Sequence, residues 1–412
     1  MENVTNVSVQ PVSASIPLPV SSPVNRVASV DVYRGFVMLL MMAEVLSFQQ
    51  VSASLPDSGF WHFLSFHQSH VPWTWLALHD MIQPSFSFLV GVVLPYSIAS
   101  RKSKGASFKS LMLHTIKRSV ILICLGIFLR SMDSSQTYFT FEDTLSQIGL
   151  GYTFLVLLGF CSQRTQIIAL LVILVGYWLA FALYPLPDSS FDYTTAGVTA
   201  NWEHNLHGFA AHWNKNTNLA WAFDKWFLNL FPRESPFTNN EGGYSTLSFI
   251  PTLGTMILGL LAGNVLHSGK AQKEKIKFFV ITGLCLIGAG ILVHVTGINP
   301  IVKRIWTPAW TIFSGGICFL LLAFFYGVVD VAGKRKWSYF LMVIGANSIA
   351  AYVFSDGGIR SLLHKSLYIH LGQNFDKLFG EPYAPLISGA ITLLLLWLIL
   401  NWMYRKKIFI RI

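Results

Sequence analysis

Long apolar segments separated by shorter polar ones dominate this chain of 412 residues. A bilayer core of roughly 30 Å requires about 20 apolar residues in a helix, and apolar windows approaching that length recur about ten times. They lie near residues 35–50, 79–100, 117–131, 144–161, 166–185, 247–266, 278–296, 307–329, 338–355 and 385–404. The pattern predicts an all-α, polytopic membrane helix bundle of about ten transmembrane helices.

Two of the intervening segments are too long to be simple connections. Residues 51–78 and 186–246 are rich in aromatic side chains, which argues against disorder, so we expect two large, functional outer loops. Residues 1–25 lack the basic start and the sustained apolar core of a secretory signal, and we expect a disordered tail there. Residues 26–412 are then one integral membrane domain.

Composition and charge agree with a membrane protein. The chain is 53% hydrophobic and 12% charged, whereas soluble domains carry about 25% charged residues. The net charge of +10 does not indicate nucleic acid binding, because the basic residues flank the apolar segments and form no patch among exposed aromatics. With both termini in the cytoplasm, 20 of the 29 Lys and Arg lie inside. The positive-inside rule therefore predicts a plasma or inner membrane protein with both termini cytoplasmic.

His70 and Asp80 are the candidate catalytic residues, at the point where a polar segment enters an apolar one. An acid within a span costs about 2.5 to 3.5 kcal/mol on insertion scales, so Asp80 should have a partner or a task. A histidine can take a proton near neutral pH, and a carboxylate can fix its tautomer. We expect the helix to begin near Pro72, so that His70 can pair with Asp80 only by folding back. Spacing alone equally allows Asp80 to bind an Arg or Ser of a neighbouring span.

Other polar side chains stand among apolar neighbours. Glu44 is the lone ionisable residue deep in the first span, and Asn347 and Ser348 interrupt a later one. Such groups either line a polar cavity or bond to another helix, and for the buried amide both roles stay open. We take Glu44, Asn347 and Ser348 as candidates for substrate or cavity contacts.

Seven histidines lie in the two long loops or directly after the first of them: His62, His67, His70, His79, His204, His207 and His212. Zinc sites usually combine a closely spaced ligand pair with a defined third ligand, and no such spacing occurs here. Histidines among loop aromatics are more often solvent or interface residues. We therefore expect no metal site.

Six stretches of the chain match motifs of one group of membrane enzymes. "RVASVDVYRG" is similar to an opening Asp-x-x-Arg-Gly element, and "HVPWTWLALHDMIQPSFSFLVG" to a His-x-x-Trp, Asp-x-x-x-Pro-x-Phe-x-Phe-x-x-Gly element. The others are "EGGYSTLSFIPTLGTMILGLLAG", "IWTPAWTIFSGG", "GANSIAAYV" and "YRKKIFIRI". In this order they resemble the catalytic domain of the heparan-alpha-glucosaminide N-acetyltransferase family, over nearly the whole chain from about Arg26 to Ile412.

The resemblance implies a membrane-embedded acetyltransferase that moves acetyl from cytoplasmic acetyl-CoA, its co-substrate, to an amino sugar or glycan on the far side. His70 matches the family's proposed active-site histidine, and Asp80 its associated acid. Acetyl would pass either through an acetyl-histidine or directly, with His70 as general base. The basic cytoplasmic rim offers four candidates for the CoA phosphates: Arg34, Arg101, Lys102 and Arg118. Expected partners are membrane lipid, acetyl-CoA and a sugar or glycan acceptor, with a homodimer as the candidate assembly and no nucleic acid.

Two other classes of protein stay open. A proton-coupled transporter or permease for a sugar or sugar derivative would use Asp80 and Glu44 for proton coupling, and uptake into vesicles without CoA would favour it. A structural membrane scaffold would explain the apolar segments but gives no reason for the ionisable residues. The acetyltransferase is the leading interpretation.

Overall fold

The computed structural model describes residues 27–188 and 190–410, and the tail expected at residues 1–25 lies outside them. Within these ranges the regular secondary structure is helical, apart from an isolated bridge between Thr74 and Val302. The α-helices are α1 Ala28–Met42, α2 Phe48–Ser54, α3 Gly59–Gln68, α4 Ile82–Ser103, α5 Phe108–Arg130, α6 Thr144–Gly159, α7 Gln163–Ala182, α8 Leu219–Phe227, α9 Phe249–His267, α10 Gln272–Val295, α11 Pro308–Phe325, α12 Tyr339–Ala346, α13 Ser348–Asp356, α14 Ile359–Leu371 and α15 Ala384–Arg405.

Eight helical segments of the described chain are long and apolar enough to cross a bilayer: Ala28–Ser54, Leu78–Ser103, Phe108–Arg130, Gln163–Ala182, Thr246–His267, Gln272–Val295, Pro308–Val331 and Glu381–Arg405. The pair α12–α13 is a ninth candidate, bent by 69° at Asn347. Helix α6 has only 16 residues, fewer than the about 20 that a span needs. The predicted all-α membrane bundle is confirmed, whereas the count of ten spans is not.

Helices α4 and α9 pack against each other along the centre of the bundle. Glycines permit this approach, because a Cβ at Gly259 would lie 1.9 Å from the carbonyl oxygen of Phe88. A Cβ at Gly91 would likewise lie 2.0 Å from the oxygen of Met256. Lipid chains are as apolar as leucine, so membrane helices are held together by close packing of this kind. Helices α5, α7 and α10 lie outside this centre and expose most of their apolar side chains.

The two ends of the bundle differ. At one end, the Ser29 N–H donates to Asp330 at 3.1 Å, and the Ile410 N–H donates to the Asn347 side chain at 3.1 Å. We call this the tail end, because the beginning of α1 and the last described residues meet there. The opposite end, which we call the loop end, contains the long connections 55–77, 183–245 and 296–307.

The longer connection folds onto the loop end. Its Trp213 carbonyl accepts a hydrogen bond from the indole of Trp73, at 3.1 Å, which ties the two predicted loops together. Asp224 of α8 accepts a hydrogen bond from the Thr246 N–H at 2.9 Å, directly before α9. Burial raises the pKa of Asp224 to about 7. The aromatic residues of the sequence thus form a packed cap over the loop end.

Candidate active site

The segment that carries His70 is not helical. Residues 69–77 run between α3 and a 3₁₀ turn, Leu78–Met81, that leads into α4, so the expectation that the helix begins near Pro72 is wrong. Pro84 explains the true start, because it is the third residue of α4, where a backbone N–H has no intrahelical partner. His70 therefore lies outside the helix and is free to fold back.

The fold-back brings His70 to Asp80. The Nδ1–H of His70 donates to Asp80 Oδ1 at 2.7 Å. The other carboxylate oxygen accepts hydrogen bonds from the N–H groups of Ala77, at 3.0 Å, and Val71, at 3.3 Å. Asp80 is 1% exposed, and a buried carboxylate with this many donors is stabilised in its ionised form. The carboxylate fixes the tautomer of His70, whose Nε2 keeps its lone pair.

Lys303 is a candidate site residue that the sequence did not single out. Its ammonium lies 3.2 Å from Asp80 Oδ1 and 3.1 Å from His70 Nδ1, and the residue is 5% exposed. One ring nitrogen cannot donate to Asp80 and accept from Lys303 at once, and the shorter contact assigns its proton to Asp80. Lys303 therefore pairs with the carboxylate and places a positive charge beside the imidazole. The adjacent basic residues Lys303 and Arg304 lie in a short loop on the predicted outer side, against the positive-inside trend, and this was the available signal.

Arg304 joins its own loop to two other loop segments next to the cluster of His70, Asp80 and Lys303. Its guanidinium donates to the carbonyl oxygens of Gly242, at 2.8 Å, and Val71, at 3.0 Å. It also lies 5.0 Å from the ring centroid of Tyr244, within the range of a cation–π contact. The side chain of Thr307 caps α11 by accepting from the Trp310 N–H, which fixes the end of the loop that carries Lys303.

The surroundings lower the pKa of His70 below its ordinary value. Burial is the largest cause, the hydrogen bond to Asp80 opposes it, and the charge of Lys303 lowers the pKa further. Near neutral pH the imidazole is therefore unprotonated and able to act as a base or a nucleophile.

A second histidine–carboxylate pair lies beside the first. His79 Nε2 is 2.9 Å from Glu44 Oε1, and the His79 ring centroid is 4.7 Å from that of His70. Glu44 sits in a 3₁₀ turn, Ala43–Leu46, that ends the first helix, and its second oxygen lies 3.5 Å from Arg360. Glu44 lines the polar cavity below, as the sequence indicated it could.

Both histidines and Glu44 face one cavity of about 400 Å³. It is lined by Met41, Glu44, His70, His79, Ile82, Gln83, Arg130, Glu142, Asp143, Thr144, Asn240, Gly242, Tyr244, Lys303, Tyr352, Ser355 and Asp356. We call it the histidine cavity. Burial raises the pKa of Glu142 and that of Asp143, which caps α6 by accepting from two backbone N–H groups.

Within residues 27–188 and 190–410, no His, Cys, Asp and Glu side chains form a group of three suited to a metal ion.

A second cavity, of about 330 Å³, shares Thr144 and Tyr352 with the histidine cavity and reaches toward the tail end. Arg34, Arg118 and Ser348 line it together with apolar side chains such as Leu89. We call it the tail cavity. It includes three of the residues that the sequence singled out, two of them as candidates for CoA phosphates.

The remaining residues that the sequence singled out do not line the tail cavity. Arg101 and Lys102 are in the last turn of α4, outside the tail cavity, and Lys102 stands over the ring of Phe160. The amide of Asn347 is buried, donates to the Ile408 carbonyl at 2.9 Å and lines neither cavity. The side chain of Asn347 thus makes the hydrogen bonds between segments that the sequence left as the alternative role.

These features define an integral membrane protein with a histidine–aspartate–lysine cluster on the wall of a polar cavity at one end of its bundle. No family model matches the chain. Human heparan-alpha-glucosaminide N-acetyltransferase is 23% identical over 429 residues, which cover 94% of this chain and 60% of that protein. The mouse protein of the same name is 23% identical, over 95% and 61% of the two chains. The chain therefore spans about three fifths of the length of these curated relatives. The chain is thus similar, at low identity, to proteins of the family that its motifs resemble.

Proposed function

We propose that the protein is a membrane acetyltransferase that moves acetyl from acetyl-CoA to an amino sugar or glycan on the opposite side of the membrane. The names of its relatives support this activity. The observation that carries the proposal is the pairing of His70 with Asp80, at 2.7 Å. His70 lines the histidine cavity, which shares Thr144 and Tyr352 with the tail cavity from the other end. Donor and acceptor then approach one wall from opposite sides.

The tail cavity suits the donor. Its apolar side chains match the uncharged chain that links the thioester of CoA to its nucleotide. Arg34 and Arg118 supply two guanidinium groups, which bind phosphate through charge-assisted hydrogen bonds. The positive-inside rule supports an orientation with the tail end and both termini in the cytoplasm, where acetyl-CoA is made. This orientation favours the plasma or inner membrane.

The histidine cavity suits an amine acceptor. Glu142 and Asp356 present carboxyl groups that can form hydrogen bonds with the amine and hydroxyl groups of an amino sugar. His70 Nε2 has a lone pair at neutral pH, because Asp80 holds the proton on Nδ1 and the pKa of His70 is lowered. It can take a proton from the acceptor or attack the thioester itself, and Asp80 stabilises the imidazolium in either case.

The direct test is to incubate the purified protein with labelled acetyl-CoA and a panel of amino sugars. We expect labelled acetylated sugar from the unaltered protein and a loss of at least about 100-fold in the His70→Ala variant, the low end for a lost general base. His204→Ala, which alters a loop histidine outside the histidine cavity, should leave the rate unchanged. No acetyl transfer by the unaltered protein would overturn the proposal, and an equally active His70→Ala variant would overturn the role of His70.

The transporter alternative retains one supporting observation. Two cavities that approach a shared wall from opposite ends also suit alternating access to a central site. Sugar uptake by vesicles that contain the protein but no CoA would favour it. Acetylated product that forms only with acetyl-CoA present would exclude simple uptake as the whole activity.

A further inference from the structure

The second histidine–carboxylate pair, His79 and Glu44, has no role in an acetyl transfer that uses only His70 and Asp80. His79 Nε2 lies 2.9 Å from Glu44 Oε1, and Arg360 holds the other Glu44 oxygen at 3.5 Å. The His79 ring is tilted against that of His70, with centroids 4.7 Å apart. Two imidazoles, each with its own carboxylate, therefore stand side by side on one wall of the histidine cavity.

The arrangement differs from that of an ion pair that only joins two helices. Glu44 is 41% exposed and His79 is 8% exposed, and both line the histidine cavity. A carboxylate that is open on one side gains little from pairing alone, since water screens the interaction. Glu44 has a function there if a substrate in the cavity gives a proton to His79. Glu44 then stabilises the imidazolium that forms.

A reaction through an acetylated His70 needs such a second base. Acetyl on Nε2 occupies the only lone pair of the ring, and Nδ1 donates its proton to Asp80. The two carboxylate oxygens of Asp80 already bind His70, Lys303 and two backbone N–H groups. Once acetylated, the first pair therefore has no group left to accept the proton of the acceptor.

We infer that His79, supported by Glu44, is the general base of the second half of the reaction, an inference that rests on the proposed acetyltransferase function. In the first half, His70 Nε2 attacks the thioester carbonyl, the carbon–sulfur bond breaks, and CoA leaves as a thiolate. In the second half, the acceptor nitrogen attacks the acetyl carbonyl, the bond to Nε2 breaks, and its electron pair returns to His70. The proton of the acceptor passes to His79, whose imidazolium is stabilised by Glu44.

The test separates the two halves with the His79→Gln variant of the full chain. Protein is first incubated with labelled acetyl-CoA alone and analysed for acetyl on His70, and then chased with glucosamine or with hydroxylamine. Hydroxylamine is a strong nucleophile that needs little help from a base. We expect His79→Gln to be labelled as fast as the unaltered protein and to react normally with hydroxylamine. Its discharge to glucosamine should fall at least about 100-fold, the low end for a lost general base.

Two further variants test the role of Glu44 and provide a control. Glu44→Gln should slow the same step and leave labelling intact, whereas His204→Gln, whose ring lies 3.4 Å from Glu203 outside this cavity, should change neither step. Normal discharge of His79→Gln to glucosamine, or equal losses in labelling and discharge, would overturn the inference. So would acetylated glucosamine from an unaltered protein that forms no acetyl-enzyme, although the proposed function would then stand. An unaltered protein that transfers no acetyl to any amine would overturn both.

Discussion

Replacing Lys303 by methionine should raise the pKa of His70. The ammonium lies 3.1 Å from His70 Nδ1 and the lysine is 5% exposed, so it opposes protonation of the ring at short range. Two unit charges at this distance repel by about 1.3 kcal/mol at a dielectric constant of about 80 and by about 5 kcal/mol at about 20. The His70 side chain is 37% exposed, and water screening favours the lower part of this range. We expect a rise of about one to two pKa units, at about 1.4 kcal/mol each.

The sign follows from the charge that the ring carries. A higher pKa leaves more of His70 protonated near neutral pH, so less of the base is available and the acid limb of the activity profile moves to higher pH. Methionine keeps the length of the side chain and removes its charge. Asp80 keeps His70 and two backbone N–H groups as partners, and the protonated imidazole replaces the lost ammonium.

The pKa can be measured without a known acceptor. Diethyl pyrocarbonate modifies the unprotonated imidazole, and mass spectrometry of the His70 peptide over the pH range in which histidine titrates gives the fraction that is neutral. Lys225→Met is the matched control, because Lys225 is exposed and stands over Trp221 in the long loop. A pKa of His70 that is unchanged or lower in Lys303→Met would refute the role given to this lysine.

Three further predictions concern the loop end, the centre and the tail end. Because the buried Asp224 keeps its proton to about pH 7 in the folded state, stability should fall as pH rises from 3.8 to about 7. The melting temperature of Asp224→Asn should exceed that of the unaltered protein above pH 7 and lose this advantage at low pH. Gly259→Val should lower the melting temperature, at a cost of about 1 to 3 kcal/mol or more, because its Cβ would meet the oxygen of Phe88, whereas Gly176→Val, which has open space, should not. Ser348→Trp should raise the KM for acetyl-CoA in initial-rate assays, and an unchanged KM would exclude the tail cavity as the donor route.

The parts of the site that could be predicted are those with a local signal. A charged or polar residue in an apolar segment is costly unless it has a partner. This rule singled out Asp80 and Glu44 from the sequence alone. The histidine ten positions before Asp80 was a plausible partner on the same ground. The structure places His70 and Glu44 on one cavity, with Asp80 bonded to His70 behind its wall, and their chemical roles stay proposals.

The parts that could not be predicted depend on contacts between distant segments. Lys303 reaches Asp80 only because its loop runs beside residues 70–77, where the Trp75 N–H donates to the Ile301 carbonyl at 3.1 Å. No periodicity of a single segment encodes such a pairing. The start of α4 was misplaced for a similar reason. Pro72 is acceptable in a first helical turn, but the pairing with the distant loop holds its segment extended.

Asn347 shows how a residue outside both cavities still shapes them. The chain bends by 69° at this position, between α12 and α13. The side-chain amide of Asn347 binds the backbone of Ile408 and Ile410, so the tail holds the bend from outside the helix. Helix α13 then runs in a new direction and sets Tyr352 between the two cavities, with Asp356 reaching the histidine cavity. The wall on which donor and acceptor are proposed to meet therefore depends on a hydrogen bond made at the opposite end of the bundle.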